Sequence, residues 1–357
     1  PFCWNYLNPR RRNHEGGAMT AGTDRAHEEG RSAMKNTATR LVLSTLGAIA
    51  CLTTGAMAQS YPTKPIRMLV GFSPGGVADV TARLVGQKMS ELMGQSVIVE
   101  NRPGASGAIA TERVATSPPD GYTLLMMTGA DTVIPALRAK LPYDLRRDFA
   151  PVSLVAIAPF VIVVHRSVPA KNIKELIALA RSHPDKLSYG SVGAGSTPHL
   201  AGESLKLLGK VSLVHVPYKG GGESAIATAS GQVDIGIHSA TAAIPLVDAG
   251  KLRALAVTSG KRASFMPGLP TVAEAGLPGF ERSSWEGILA PAAVSKDAVA
   301  YLSGIVAKAV NTPEMRESFR KEGLEPQTNT PEQFGQFISS ELDSNARLIR
   351  AIGLRTE

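Results

Sequence analysis

The sequence predicts an α/β protein built as two units, each a mainly parallel sheet flanked by helices. Three observations carry this. The chain has 357 residues, past the size at which one core keeps growing. Short apolar runs of strand length alternate with stretches of helical spacing, repeatedly. The alternation restarts near Ala150, where Val152 to Val164 is almost continuously apolar, broken by Pro159. That run is suited to carrying the chain from one unit to the next.

The first unit opens with Tyr61-Pro62-Thr63-Lys64-Pro65, extended because proline biases its predecessor away from helix. Ile66, Met68, Leu69, Val70 and Phe72 then form a buried strand, and Ser73-Pro74-Gly75-Gly76 breaks it with a tight turn. From Val77 the spacing is helical, with Val80, Leu84, Val85 and Met89 on one side. A glycine turn feeding a helix N-terminus leaves amide groups unpaired at the positive end of the helix dipole, which suits a carboxylate or phosphate. A tight connection with no ligand is the alternative on this stretch alone. Gln95 to Glu100 reads as the second strand, and Asn101 to Gly107 as a glycine loop before a helix ending near Ala115. Pro118 to Gly121 is a turn, Tyr122 to Met127 the third strand, and Thr128 to Thr132 the loop after it. Ligands collect outside the carboxyl ends of such strands.

The second unit repeats the scheme. A helix over Asn172 to Ser182 precedes a strand at Leu187 to Tyr189 and the loop Gly190-Ser191-Val192-Gly193-Ala194-Gly195-Ser196. Thr197-Pro198 reads as an N-cap with proline at the first helical position. Leu213 to Val216, Val233 to Ile237 and Leu252 to Thr258 are strands, separated by helices at Glu223 to Ser230 and near Thr241 to Ala249. Tyr218-Lys219-Gly220-Gly221-Gly222 is another glycine turn. Two units with such turns at strand ends imply a ligand cleft between them. A proline-punctuated link from Phe265 to Phe280, a strand at Trp285 to Leu289 and three helices suit a return to the first unit. Those helices cover Lys296–Val310, Pro313–Glu322 and Pro331–Ile352, the last again opened by a cap and a proline. The expected division is residues 59–161 plus 284–357 for one domain and 162–283 for the other.

The N-terminus reads as an export signal. From Met34, Lys35 and Arg40 form a positive region, Leu41 to Leu52 an apolar one, and Ala56-Met57-Ala58 a small-x-small cleavage site. Residues 34–58 are thus the expected signal peptide. Residues 1–33 read as upstream sequence, with Met34 or Met19 as the start. Cys3 and Cys51 both precede the cleavage site, so the exported chain would hold no disulfide or cysteine-based metal site. Lipidation at Cys51 is a rival use, but Ala48 stands where a large aliphatic residue is expected. The net charge is +8, and its one dense basic run, Arg10-Arg11-Arg12, lies in the early segment. With no basic stripe interleaved with aromatics, no nucleic-acid partner is expected.

The motifs of chemistry are missing. Gly190-Ser191-Val192-Gly193 is not a GxSxG elbow, and the histidines at 165, 183, 199, 215 and 238 show no HExxH-type spacing. There is no GxGxxG at Gly190, Gly193 and Gly195, and no GxxxxGK[ST] loop. The chain is therefore read as a non-enzyme without metal or cofactor. A hydrolase using Ser191 or Ser196 with His199 is the rival of a different class.

Seven stretches, in order, resemble one family across Tyr61 to Ile352. They are FSPGGVAD (72–79), GQSVIVENRPGASG (94–107), PDGYTLL (119–125), LPYDLRRDFAPVSLVA (141–156), HVPYKGGG (215–222), GKLRALAVTS (250–259) and PTVAEAGLPGFE (270–281). The chain resembles the extracytoplasmic solute receptors of tripartite tricarboxylate transporters, the TctC or Bug family. The resemblance implies a two-domain periplasmic binding protein of type II, Venus-flytrap architecture. It implies a small organic carboxylate as ligand and the large and small permease subunits as membrane partners, with the receptor itself a monomer. A sensory receptor presenting its closed form to a membrane kinase is the alternative use of the same fold. Carried over, Phe72, Ser73, Gly75 and Gly76 would hold a carboxylate, partly through water, with Thr128 and Gly129 lining the same domain. Ser191, Gly195, Ser196, His199 and Tyr218 would line the second. Asp79 reads instead as a helix-start acid paired with Arg83, and Trp285 either walls the cleft or packs at the crossover. One position departs: His238 stands where many relatives have an aspartate able to meet an amino group. A histidine offers no permanent negative charge, so a carboxylate without an amino group is expected.

Overall fold

The computed structural model describes residues 61–138 and 140–354. The signal-peptide reading, the start-site reading and both cysteines fall outside these residues.

The first half begins with β1 (Ile66–Val70), α1 (Val77–Met93), β2 (Val97–Asn101), α2 (Ala108–Ala115) and β3 (Thr123–Thr128). A short helix α3 (Ile134–Leu137) leads to β4 (Phe149–Ala158), and β5 (Phe160–His165) follows directly after Pro159. The second half continues with α4 (Ile173–Ser182), β6 (Ser188–Ser191), α5 (Thr197–Gly209), β7 (Val214–Pro217) and α6 (Gly221–Ala229). It closes with β8 (Ile235–Ser239), α7 (Ala240–Asp248) and β9 (Leu252–Val257). The chain then returns through β10 (Ser284–Pro291), α8 (Lys296–Val310), α9 (Pro313–Lys321), β11 (Glu325–Pro326) and α10 (Pro331–Ile352).

Two sheets result, with orders β11-β4-β10-β3-β1-β2 and β7-β6-β8-β5-β9. The α/β class and the helix-flanked sheets match the sequence reading, and most strands of each sheet run one way: β1 to β4 in the first and β6 to β9 in the second. β1 is parallel to β2 and β3, and β6 is parallel to β7 and β8. Every other pairing is antiparallel: β10 with β3 and β4, β11 with β4, and β5 with β8 and β9. The cause is the double crossing. β5 and β10, the strands by which the chain enters the second sheet and re-enters the first, run against the βαβ units, and local apolar runs carry no sign of direction.

Each sheet is covered on both faces. In the first, Met68, Val70 and Met126 pack with Val85 and Met89 of α1 and Leu302 and Val306 of α8. Opposite them, Leu69, Leu125 and Trp285 meet Val114 of α2 and Phe334 and Ile338 of α10. This is the period-two alternation of a strand buried on both sides. Truncating a fully buried anchor such as Met89 would cost about 2–5 kcal/mol. In the second sheet, Ile162, Ile235 and Ile237 pack under α4 and α5, and Val161 and Val163 pack against Ala243 of α7. A smaller apolar cluster joins the halves: Val133, Leu200, Leu348 and Ile349, with Leu137 against it.

Candidate functional site

Phe72 to Gly76 leave the carboxyl end of β1. Phe72 is half-buried against the core, while Ser73, Gly75 and Gly76 are exposed. Gly76 caps α1 in extended conformation with no side-chain cap, so the first helical amides keep their polarity toward solvent. Gly75 needs its glycine for conformation: φ is 82°, and no atom lies within 4 Å of a Cβ built there. The Gly75 amide, however, is already engaged. It donates to Asp79 Oδ2 at 2.9 Å, and Asn101 Nδ2 donates to Oδ1 at 2.9 Å. Arg83 completes the group at 2.9 Å, as the four-residue spacing predicts. Burial pushes the Asp79 carboxyl up, but these partners, Arg83 foremost, outweigh it and hold it below its ordinary value. Asp79 therefore shapes the turn from beneath and leaves the helix-start amides of Val77 and Ala78 facing outward.

At the end of β3, Thr128 and Gly129 are buried, and the Thr128 hydroxyl donates to Asp131 Oδ2 at 3.0 Å. The Thr128 amide donates to the same oxygen at 2.8 Å, forming a capping box over the turn Gly129–Thr132. Burial pushes Asp131 up to about 6, against the opposing hydrogen bonds from Thr128 and Thr111. Sequence reading passed over Asp131. Its signal was the T-x-x-D spacing of a capping box directly after a strand.

In the second half, the cap of α5 is Ser196 rather than Thr197. Its Oγ accepts from the His199 amide at 3.4 Å, and Pro198 sits at the second helical position. The loop before it rests on two histidines. The Gly195 amide donates to His199 Nδ1 at 3.0 Å, which makes Nε2 the protonated nitrogen of the neutral ring. The Ser191 hydroxyl lies 2.6 Å from His215 Nε2, and the two histidine rings stack with centroids 4.1 Å apart. The parallel register, which sets Tyr189 beside His215, produces this contact. Burial lowers His199, with Glu203 opposing, and lowers His215 to about 4, with the neighbouring His199 adding to the effect. The hydrolase pairing of Ser191 with His199 is thus replaced by one with His215, and Ser191 is fully buried.

The sheet divides the remaining residues between its faces. Gly190 pairs with Gly236, and a Cβ on Gly190 would come within 2.6 Å of Ser224 Oγ and 3.4 Å of the Tyr218 ring. His238, two residues beyond Gly236, lies on that same face under α6, with Nε2 3.0 Å from Thr228 Oγ1. Ser191 and His199 lie on the opposite face. His238 is 2% exposed, and burial lowers it to about 4, so it is uncharged at neutral pH. A neutral His238 brings no charge of either sign to this face. Trp285 is likewise buried: it packs edge-on to Phe334 and Phe337 at the crossover and donates from Nε1 to Glu341 at 3.2 Å. The two halves meet beside the second loop, where a Cβ on Gly195 would lie 2.9 Å from Leu137. Among the described residues no cluster of His, Asp or Glu is arranged to hold a metal.

Two α/β halves linked by paired crossovers, with glycine turns at strand ends, fit a solute-binding protein. Solved structures agree. A Rhodopseudomonas palustris protein, Rpa4515 with adipate, is 35% identical with a TM-score of 0.71, covering 83% of this chain and all of that one. MatC from the same organism, with bound malate, is 31% identical with a TM-score of 0.67, covering 81% of this chain and all of that one. The periplasmic binding protein BugD is 33% identical with a TM-score of 0.69, covering 83% and 100%. The chain belongs to the tripartite tricarboxylate transporter family receptors, whose model matches residues 81–354. Among sequence relatives, a protein from the tcbD–tcbE intergenic region of Pseudomonas sp. is 37% identical over 320 residues, 88% of this chain and 95% of that protein. BugT of Bordetella pertussis is 33% identical over 300 residues, 84% of this chain and 92% of that protein.

Proposed function

We propose that this protein is a periplasmic receptor that captures a small organic carboxylate between its two halves and delivers it to the large and small permease subunits of a tripartite transporter. The halves, residues 59–161 with 284–357 and residues 162–283, act as domains that close on the ligand. The observation that carries this reading is the exposed turn Ser73 to Gly76 at the uncapped start of a 17-residue helix, in a family whose relatives Rpa4515 and MatC hold adipate and malate. The outward amides of Val77 and Ala78, with Ser73, take the carboxylate from one side. The loop Ser191 to Ser196 and Tyr218 meet it from the other. No described helix is long and apolar enough to cross a membrane, in keeping with a receptor released after export.

The ligand lacks an amino group, because His238 brings no negative charge to replace the aspartate of relatives. A thermal-shift screen of the full chain against adipate, malate, benzoate, aspartate and glutamate tests both statements, since a cleft ligand stabilises only the folded form. A rise of several degrees with at least one simple carboxylate and none with the amino acids is expected. A flat response across the carboxylates would remove the ligand class, and a shift with aspartate alone would remove the amino-group argument.

A further inference from the structure

Away from the exposed turns, a cavity of about 340 Å³ opens between the start of α5, the second half of α10 and the crossover segment before β10. Of the residues assigned to the carboxylate cleft, only Gly129 touches it. A shallower hollow beside it shares Arg282, Glu281, Ser344 and Arg347.

Two arginines and two glutamates line it: Arg282 and Arg347, with Glu281 and Glu341. The half-buried Arg282 guanidinium donates to Ser204 Oγ of α5 at 3.0 Å and to Ser344 Oγ of α10 at 3.1 Å. No carboxylate among the described residues lies within 4 Å of it, and its other N–H groups find no acceptor there. Its direct partners are hydroxyls alone, so the counter-charge a desolvated cation requires comes only at longer range, from Glu341 and Glu281. Arg347 lines the same space, close enough to act with burial in lowering Arg282, while Glu341 and Glu281 oppose. The Ser283 hydroxyl is buried against the cavity with no partner. The Glu341 carboxyl accepts from Trp285 Nε1, and burial pushes it up against that bond and the nearby Arg282. The wall also carries the apolar side chains of Val133, Leu200, Trp285 and Phe337, among the polar Thr197, Ser340 and Asn345.

We propose that this cavity is a second binding site, for a small monocarboxylate with a compact apolar body. The carboxylate sits on the free edge of Arg282, which presents two parallel N–H groups in the geometry a carboxylate matches. Arg347 adds charge from the rim, and Ser283 supplies a hydroxyl. The apolar body lies against Trp285, Phe337 and Leu200. A second carboxylate on the ligand is disfavoured, because Glu281 and Glu341 occupy the same walls. The volume is at the small end of the range for small-molecule pockets. Because its walls come from both halves and the crossover, an occupant ties α5 to α10.

Trp285 provides a local readout, because the sequence has only one other tryptophan, Trp4. In the full chain carrying W4F, benzoate should shift the Trp285 emission saturably. Benzyl alcohol, of the same shape without the charge, and sulfate, a charge without the apolar body, should not. R282M should weaken benzoate at least about tenfold, the loss of a charge-assisted pair. R347A, an exposed position, should weaken it severalfold while leaving the melting temperature unchanged, which separates lost binding from lost folding. A non-saturating response, an equal response to benzyl alcohol or sulfate, or wild-type affinity in R347A would each overturn the proposal. The last outcome would leave only a water-filled gap, or benzoate bound in the cleft.

Discussion

Burial raises two acids of the first half, Asp131 and Glu286, and lowers three histidines of the second, His199, His215 and His238. Burial pushes Asp131 up to about 6 and Glu286 up to about 8, whereas it lowers His215 and His238 to about 4. Both arrangements favour the uncharged form, but their dependence on pH is opposite. Between its ordinary value of 4.5 and about 8, Glu286 holds a proton in the folded chain that the unfolded chain has lost, so its contribution falls as pH rises. Between 6.5 and about 4 the unfolded chain protonates histidines that the fold keeps neutral, so their contribution falls as pH falls. Acidification therefore strengthens one half while it loosens the other. A single melting temperature would hide this, because the two slopes partly cancel.

The largest effect that would break the contrast concerns Glu286. It is fully buried on β10, with Oε2 unpartnered, beside Thr128 of β3 and Ala156 of β4. No charged neighbour contributes to its shift; burial alone does. In E286Q the amide cannot ionise, so the variant should gain on the wild type by roughly a few kcal/mol as pH rises from 4.5 to 8. Urea unfolding at pH 5, 7 and 9 measures this, and a gap that ignores pH would show that Glu286 ionises freely. The second test is regional. Hydrogen exchange, corrected for intrinsic rates, should show β6 and β8 losing protection by about tenfold between pH 7.5 and pH 5. β1 and β3 should hold theirs, and equal losses in both sheets would erase the contrast. The smallest effect belongs to Asp79, an ionised acid kept below its ordinary value by its partners. D79A strands the Gly75 amide near solvent and should cost about 1 kcal/mol by urea unfolding. The change in exchange should be confined to the turn and to Asn101. Loss spreading to the loop at Ser191 would mean that the two loops are coupled through the core.

Much of the local structure was legible because its causes are local. Thr330 followed by Pro331 starts α10 where cap chemistry puts it, with Gln333 completing a capping box, and Gly353 ends it in left-handed conformation. The Asp79–Arg83 pair follows from helical spacing. The site was legible only at the turn of Phe72 to Gly76, where glycine chemistry is spelled out in sequence. His215 was passed over as a partner because nothing near it in the chain names Ser191, which lies 24 residues away. The surroundings of His238 were not legible, because a strand residue's face depends on register and on what covers it, here α6 and Thr228.

By itself the sequence determined the alternation of strands and helices, the caps and glycine turns, and through its ordered motifs the family. These depend on neighbours a few residues apart, where spacing fixes geometry. Only the tertiary structure decided that β5 and β10 run against their neighbours and that Asp79 claims the Gly75 amide. It alone decided that Ser191 answers to His215, and that Arg282 hangs between two serines at the junction. Each of these turns on which distant segments share a wall, and burial there sets charge as strongly as residue type does.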